Sequence, residues 1–305
     1  MRRSPIAAAL CLLSVSPGLS YEQDDEGWMN EFPVSDYTLA TKGGSPYWSL
    51  TPGRYVVLGE LNPGGGKFVF ISVLDETEMV DGVETRVVEE REYKDGGLLE
   101  ISRNFFATRQ ETGDIFYFGE DVDDYKDNEI VGHAGQWRAG VDGAKAGLFM
   151  SGKPEVGMKY YIEIQPGVAL DRAEVMETGV EIETPARTFD DCLIVTETSP
   201  LEPDDESYKR FAPNVGMIFD DDLELYKYGK RRRSEKVIEF EIEENQMPRA
   251  PAAVVRELHP EGEMKEVKVE LHRDHVRYAV ETFINGKQWD VEVTEAGEVL
   301  RNEED

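Results

Sequence analysis

Apolar and polar residues alternate along most of residues 47–228, and this period of two predicts β-strands. In the segment KFVFISVLDE (67–76), for example, Phe68, Phe70 and Leu74 fall on one face of a strand. Turns rich in Gly, Asp and Pro interrupt the pattern at 63–67, 80–82, 95–97 and 112–114. Hairpin connections at such short intervals predict an antiparallel meander.

The same alternation organises the stretch from Thr184 to Tyr226, which contains short strands separated by Pro-rich or Asp-rich turns and an Ala-Pro-Asn-Val-Gly corner at 212–216. We interpret this stretch as the last strands of the sheet that begins near Tyr47. A further alternating strand at 235–244 either closes this large sheet or leads into the last unit. We assign it to the large sheet.

The pattern changes after residue 247. PRAPAAVVREL (248–258) predicts a short helix with proline in its first turn, and alternating segments follow it. Asn285-Gly286, between two of these segments, is the strongest hairpin signal in the chain. The predicted fold is therefore mainly β: a large twisted antiparallel sheet (a meander or half-barrel), followed by a small α+β domain of one helix on an antiparallel meander.

The N-terminus carries the pattern of a secretory signal peptide, in which Arg2 and Arg3 precede a short apolar run (6–15) and a small-residue cleavage site at 18–20. The run is too short to span a bilayer, so we expect export without membrane insertion, to the periplasm or the exterior. The predicted organisation is a signal peptide (1–20), a loosely ordered acidic lead-in (21–46), an antiparallel β-domain (47–247, with a basic linker at 229–233 and the strand 235–244) and an α+β module (248–305).

The chain is strongly acidic, with 33 Lys and Arg against 63 Asp and Glu and a formal net charge of −30. Such a surface repels nucleic acid, and we expect no nucleic-acid partner. The predicted mature chain keeps one cysteine, Cys192, within the apolar segment 192–195. A buried strand thiol is the expected role of a cysteine in that setting.

The C-terminal unit resembles the PepSY-like modules of bacterial extracytoplasmic proteins, through its helix (252–258), the turn at 259–262 and the closing run 278–300. Such modules are implicated in inhibiting or regulating secreted enzymes and in binding, which implies a secreted or envelope protein as partner. Trp289 and Tyr278 are the candidate partner contacts, with a core role as the alternative.

The larger unit, over residues 50–226, resembles a group of uncharacterised exported bacterial β-proteins. The likeness rests on the segments FYFGED (116–121), GVDGAK (140–145) and APNVG (212–216). It implies nothing about activity.

Carboxylates crowd the segment EDVDDYKDNE (120–129), and Ca²⁺ binds roughly 6 to 8 oxygen ligands with tolerant geometry. The segment predicts a calcium site, although Lys126 and Gly132 stand where an EF-hand loop requires Gly and Glu. A solvated acidic loop is the alternative. The candidate ligands are Asp121, Asp123, Asp124, Asp127 and Glu129.

We predict an exported binding or regulatory protein without catalytic activity, because neither a nucleophile elbow nor a phosphate-binding loop occurs in the sequence. Two alternatives remain. One is an enzyme that acts on an envelope or extracellular polymer through carboxylates in the region 120–157. The other is a surface structural protein stabilised by calcium.

Overall fold

The computed structural model describes residues 22–24, 26–95, 97–126, 129–231, 237–272 and 275–305. The predicted signal peptide (1–20) and Asp127 lie outside these residues. The described chain is mainly β, which confirms the predicted fold class. No helix in the described ranges is both long enough and apolar enough to cross a membrane.

Most of the strands up to residue 230 belong to one large sheet, and β4 and β5 form a separate hairpin beside it. The first strands are β1 (Glu22–Gln23), β2 (Met29–Glu31), β3 (Leu39–Ala40), β4 (Gly44–Ser45), β5 (Trp48–Ser49), β6 (Arg54–Asn62), β7 (Gly65–Val80) and β8 (Val83–Lys94). They are followed by β9 (Gly97–Arg109), β10 (Ile115–Lys126), β11 (Glu129–Gly132), β12 (Trp137–Arg138), β13 (Lys145–Met150), β14 (Lys159–Tyr161) and β15 (Glu163–Ile164). The last are β16 (Arg172–Glu183), β17 (Thr188–Ser199), β18 (Glu202–Ala212), β19 (Gly216–Asp220) and β20 (Leu223–Lys230).

The large sheet nearly closes on itself. Strands β6 to β10 form the predicted meander, and β16 to β20 form a second antiparallel run. The two runs meet along two edges. Along one edge, β20 of the second run pairs with β6 of the first. Along the other edge, short strands lie between β10 and β16: β10 pairs with β13, β13 with β15 and β14 with β16. Because each strand alternates inward and outward, one face of the sheet encloses an interior.

The acidic lead-in is held on the large sheet, which differs from the loose order expected for residues 21–46. Strand β2 pairs with β14 and β3 pairs with β9. Trp28, Met29 and Phe32 are at most 9% exposed, and the Arg172 guanidinium lies 4.2 Å from the Trp28 ring. Burial of these apolar side chains stabilises the attachment of the lead-in to the sheet.

The C-terminal strands form a five-stranded antiparallel sheet in chain order. They are β21 (Ile238–Ile242), β22 (Glu263–Leu271), β23 (Val276–Ile284), β24 (Lys287–Thr294) and β25 (Val299–Glu304). Strand β21 pairs with β22, so the strand assigned to the large sheet belongs to the small one. Its alternation predicts a strand, but alternation does not select the partner.

The helix of the C-terminal unit is α1 (Arg249–Leu258), and 3₁₀ helices lie at Val34–Asp36 and Glu244–Gln246. Pro248 caps α1, whose buried residues Ala252 and Val255 join the core of the small sheet. Proline fits at the first helical turn because the amide hydrogen it lacks has no intrahelical partner there.

The two units share a second hydrophobic core. Phe68 and Phe70, on the outer face of β7, pack with residues of the small sheet, and the rings of Phe68 and Phe240 lie 6.0 Å apart. The opposite face of β7 places Ile71 in the interior core of the large sheet. Both faces of β7 carry apolar residues, since one face lines the interior of the large sheet and the other packs on the small sheet.

Candidate functional site

Those predicted calcium ligands that lie within the described residues do not converge. Asp121 accepts hydrogen bonds from the Arg138 guanidinium at 2.9 and 2.5 Å. Asp123 lies 3.0 Å from Arg103, and Asp124 accepts the backbone N–H of Ala134 at 2.9 Å. Strand alternation directs Asp124 to the face opposite that of Asp121 and Asp123.

The remaining candidate, Glu129, is exposed on β11. Within the described residues, no group of three or more His, Cys, Asp or Glu is arranged to hold a metal ion. Because Asp127 lies outside those residues, calcium binding by this segment stays a prediction.

The candidate partner contacts on the C-terminal unit differ in exposure. Tyr278 is 1% exposed and belongs to the core shared by the two units. Trp289 is half-buried, with its ring centroid 5.2 Å from that of His259. Of these two candidates, Trp289 is the one whose side chain is partly exposed. A protein partner of this unit stays a prediction.

A cluster of titratable side chains lies inside the large sheet. A cavity of about 220 Å³ is lined by seven carboxylates and one lysine, and we call it the acidic cavity. The carboxylates are Glu90, Glu100, Glu120, Glu163, Asp171, Glu197 and Asp220, and the lysine is Lys209.

Strand alternation brings these side chains inward. On β9, Glu100, Ser102 and Asn104 occupy every second position and all line the cavity. Glu90 on β8 is paired in register with Ser102. The acids therefore occupy inward positions that apolar side chains fill elsewhere on the same sheet.

A bulge on β10 directs both Tyr117 and Glu120 into the cavity. The two are three positions apart in the sequence, which in a regular strand would place them on opposite faces. The register shifts between the two, at Gly119, whose φ is +115°. A Cβ at Gly119 would lie 2.2 Å from the Trp137 carbonyl oxygen, so this bend requires glycine.

Lys209 lies among the acids as the one cationic side chain of the lining. Its ammonium group is hydrogen-bonded to Asp220 and lies 3.9 Å from a Glu197 oxygen. The side chains of Lys209, Glu197 and Asp220 are 15%, 20% and 22% exposed. Burial by itself would lower the pKa of Lys209, but Glu197 and Asp220 raise it above its ordinary value. The lysine is therefore charged at neutral pH.

The rest of the wall combines polar groups and aromatic rings. The Tyr117 hydroxyl donates to Asn104 Oδ1 at 2.5 Å, and Asn104 Nδ2 donates to Ser102 Oγ at 3.0 Å. The Phe106 ring stacks on Tyr117 at 4.7 Å between centroids. Trp48 also lines the cavity, and its buried indole Nε1 has no hydrogen-bond partner among the described residues.

Burial makes the carboxyl groups of the cavity hard to ionise. The pKa of Glu90 rises to about 8, first through burial and then through the charge of Asp220. Burial likewise raises the pKa of Glu120 to about 7, with Glu100 adding to the effect. The pKa of Glu197 rises to about 7 because burial outweighs the nearby Lys209. These groups change charge near neutral pH.

The other three carboxyl groups with raised pKa values follow the same physics. Burial is the largest cause in each case, and like charges add to it. For Glu163 these charges are Glu120 and Asp171, and its pKa lies well above the ordinary value. The groups are Glu100, Glu163 and Asp171.

Of these acids, Glu120 alone falls among the candidate residues that the sequence indicates. Glu120 lies in the region 120–157 that the enzyme alternative singles out, while the remaining acids come from strands as distant as β8 and β19. The available signal was a Glu or Asp on the apolar face of an alternating strand. That signal does not show that the acids meet, because it carries no information on how distant strands pair.

Cys192 does not belong to this site. It is fully buried, and its thiol donates to the Phe189 carbonyl oxygen at 3.4 Å. Burial raises its pKa to about 11, with Asp190 and Asp191 adding to the effect. The buried strand thiol expected from the sequence is what the structure shows.

We predict that a thiol reagent such as DTNB will not label Cys192 in the folded protein at pH 8, because the thiolate is the reactive species. Labelling should become rapid and complete in urea above the unfolding midpoint. In a Cys11→Ser variant, in which Cys192 is the one remaining cysteine, the released thionitrobenzoate reports both rates. Rapid labelling of the native protein, with its circular dichroism unchanged, would contradict the burial of this thiol.

Comparison of the chain with protein families, with curated proteins and with solved structures found no match.

Proposed function

We propose that this protein is a binding protein that holds a small organic cation, an alkylammonium compound, in the acidic cavity. The observation that carries the proposal is the lining itself, in which seven carboxylates face one lysine in a cavity of about 220 Å³. The proposal keeps the predicted class, an exported protein that binds without catalysis, and adds a location and a ligand chemistry.

The excess of acidic over basic side chains in the cavity favours a positively charged ligand. Lys209 pairs with Asp220 and Glu197. Among the described residues that line the cavity, no other cationic side chain is present to pair with acids such as Glu120 and Glu163. Charges separated from bulk water interact more strongly than the same charges at the surface. An ammonium group donates three hydrogen bonds and so matches a set of carboxylate acceptors.

The aromatic wall selects an organic cation over a bare ion. Trp48, Phe106 and Phe149 line the cavity together, and the rings of Trp48 and Phe149 lie 4.9 Å apart. Aromatic faces attract ammonium groups by about 0.5 to 2 kcal/mol and also cover alkyl groups.

The volume restricts the ligand to a few non-hydrogen atoms. An engineered apolar cavity of roughly 150 Å³ binds benzene, and drug-sized ligands occupy roughly 300 Å³ or more. A cavity of about 220 Å³ lies between these limits. Butylammonium and 1,4-diaminobutane are suitable probes, and 1-butanol is a neutral control of similar size.

We expect the full chain to bind butylammonium saturably at pH 8 by isothermal titration calorimetry, and 1-butanol to give no saturable heat. Glu120→Gln should weaken butylammonium binding about tenfold, which is about 1.4 kcal/mol, because Glu120 lies on the cavity wall and is ionised at that pH.

The matched control is Glu177→Gln, on the exposed part of β16, which should leave the affinity unchanged. All titrations are run at equal ionic strength, because a chain with net charge −30 attracts any cation weakly. Equal losses in the two variants, or no saturable binding of either amine, would overturn the proposal.

A further inference from the structure

We propose that the acidic cavity takes up its ammonium ligand in exchange for protons, so that the cavity is loaded at higher pH and emptied as the pH falls. This inference rests on the proposed function and adds the regulation of the same site.

The geometry that supports exchange is a set of acids contributed by six strands, β8, β9, β10, β15, β17 and β19, and by the residue before β16. On the Lys209 side, Glu90 from β8, Glu197 from β17 and Asp220 from β19 face the ammonium group carried by β18. The negative charges on this side outnumber the single positive one. Glu90 and Glu197 therefore favour their protonated forms.

The other four acids of the lining form no ion pair with Lys209, whose ion pairs among the described residues are with Glu197 and Asp220. Glu100 comes from β9, Glu120 from β10, Glu163 from β15, and Asp171 from the residue before β16. Arg138 and Arg103 are engaged with Asp121 and Asp123. A carboxyl group in this setting favours its protonated form unless a cation from outside enters the cavity.

The pKa values agree with that geometry. Glu120 and Glu197 titrate at about 7 and Glu90 at about 8, because burial and the neighbouring acids oppose ionisation. An alkylammonium, like the side chain of lysine, stays protonated to about pH 10. Throughout the range in which these carboxyl groups lose protons, the ligand is a cation.

The exchange is balanced in atoms and charge. An alkylammonium ion enters, a neutral carboxyl group becomes a carboxylate that accepts its hydrogen bond, and the displaced proton leaves to bulk water. No other bond is made or broken. The net charge of the cavity is unchanged for each proton exchanged.

The test is calorimetry of the full chain at pH 7 in phosphate and in MOPS, whose heats of ionisation differ and neither of which is a primary ammonium compound. The dependence of the binding heat on the buffer gives the number of protons released. We expect about one proton per butylammonium and a larger number per 1,4-diaminobutane. For one proton per ligand, the affinity should rise by up to tenfold per pH unit between pH 6 and 8.

Variants identify the source of the proton. Glu90→Gln should reduce the number of protons released, because an amide cannot supply one, while Glu177→Gln should leave it unchanged. Saturable binding with the same heat in both buffers and an affinity independent of pH would overturn the exchange and leave the proposed function standing. No binding of either amine at any pH from 6 to 8 would overturn both.

Discussion

Replacing Lys209 with methionine should lower the free energy of unfolding at pH 8 by about 3 to 5 kcal/mol, the usual cost of removing one partner of a buried ion pair. Methionine keeps the length and apolar character of the lysine stem, so the change removes charge and hydrogen bonds more than volume. Asp220 and Glu197 then lose the cation beside them. At pH 5 the loss should be smaller, because Glu197, whose pKa is raised to about 7, can take up a proton in place of the lysine charge.

Urea denaturation at pH 5 and pH 8, followed by circular dichroism, measures both values. The matched control is Lys153→Met. The side chain of Lys153 is 87% exposed and pairs with Glu155 at the surface. Exposed ion pairs contribute about 0 to 1 kcal/mol, so the control should change little at either pH. A loss at Lys209 no larger than that of the control, or equal at the two pH values, would contradict the charge balance described for the acidic cavity.

Glu90 should make the folded protein less stable as the pH rises. Its carboxyl group keeps its proton up to a pKa of about 8 in the folded state, against an ordinary value of 4.5. Between these values the folded state binds more protons than the unfolded state, so the free energy of unfolding falls with rising pH. Each pH unit of this window contributes up to about 1.4 kcal/mol.

Glu90→Gln removes this contribution while keeping the size of the side chain. We expect the variant to match the wild type near pH 4.5 and to exceed its free energy of unfolding by roughly 2 to 4 kcal/mol at pH 8. Urea denaturation at intervals of one pH unit measures the difference. Glu177→Gln, at an exposed position of β16, should follow the wild-type curve. A Glu90 variant less stable than the wild type at pH 8 would show that its carboxylate is stabilised by partners.

The acids and the lysine of the cavity have opposite effects on stability. The fold retains buried acids that weaken it at neutral and alkaline pH, and a single lysine limits the cost. Apolar residues of similar size would make a more stable interior. Carboxyl groups whose pKa values are shifted far from their ordinary range inside a cavity are typical of functional sites. For this reason we place the candidate site in the acidic cavity and not among the exposed acids of this chain.

Local interactions explain what the sequence by itself determined. Alternation with period two predicted the strands of the meander, and Asp81-Gly82 and Asn285-Gly286 predicted tight hairpins because these residues tolerate positive φ. The change of period after residue 247 likewise predicted one helix followed by antiparallel strands. Each of these features depends on residues close together in the chain, so the sequence reports them directly.

Tertiary structure decided which strands pair across long separations and what they enclose. The pairing of β6 with β20 joins residues more than 160 positions apart, and β21 joins the small sheet by the same kind of choice. Alternation assigns Glu90, Glu120 and Glu197 to one face of their own strands, but it cannot show that these faces turn toward each other. Closure of the sheet places them in one cavity, where burial and mutual repulsion set their pKa values. The acidic segment 120–129 shows the reverse, since acids that are adjacent in sequence are divided between the two faces of β10.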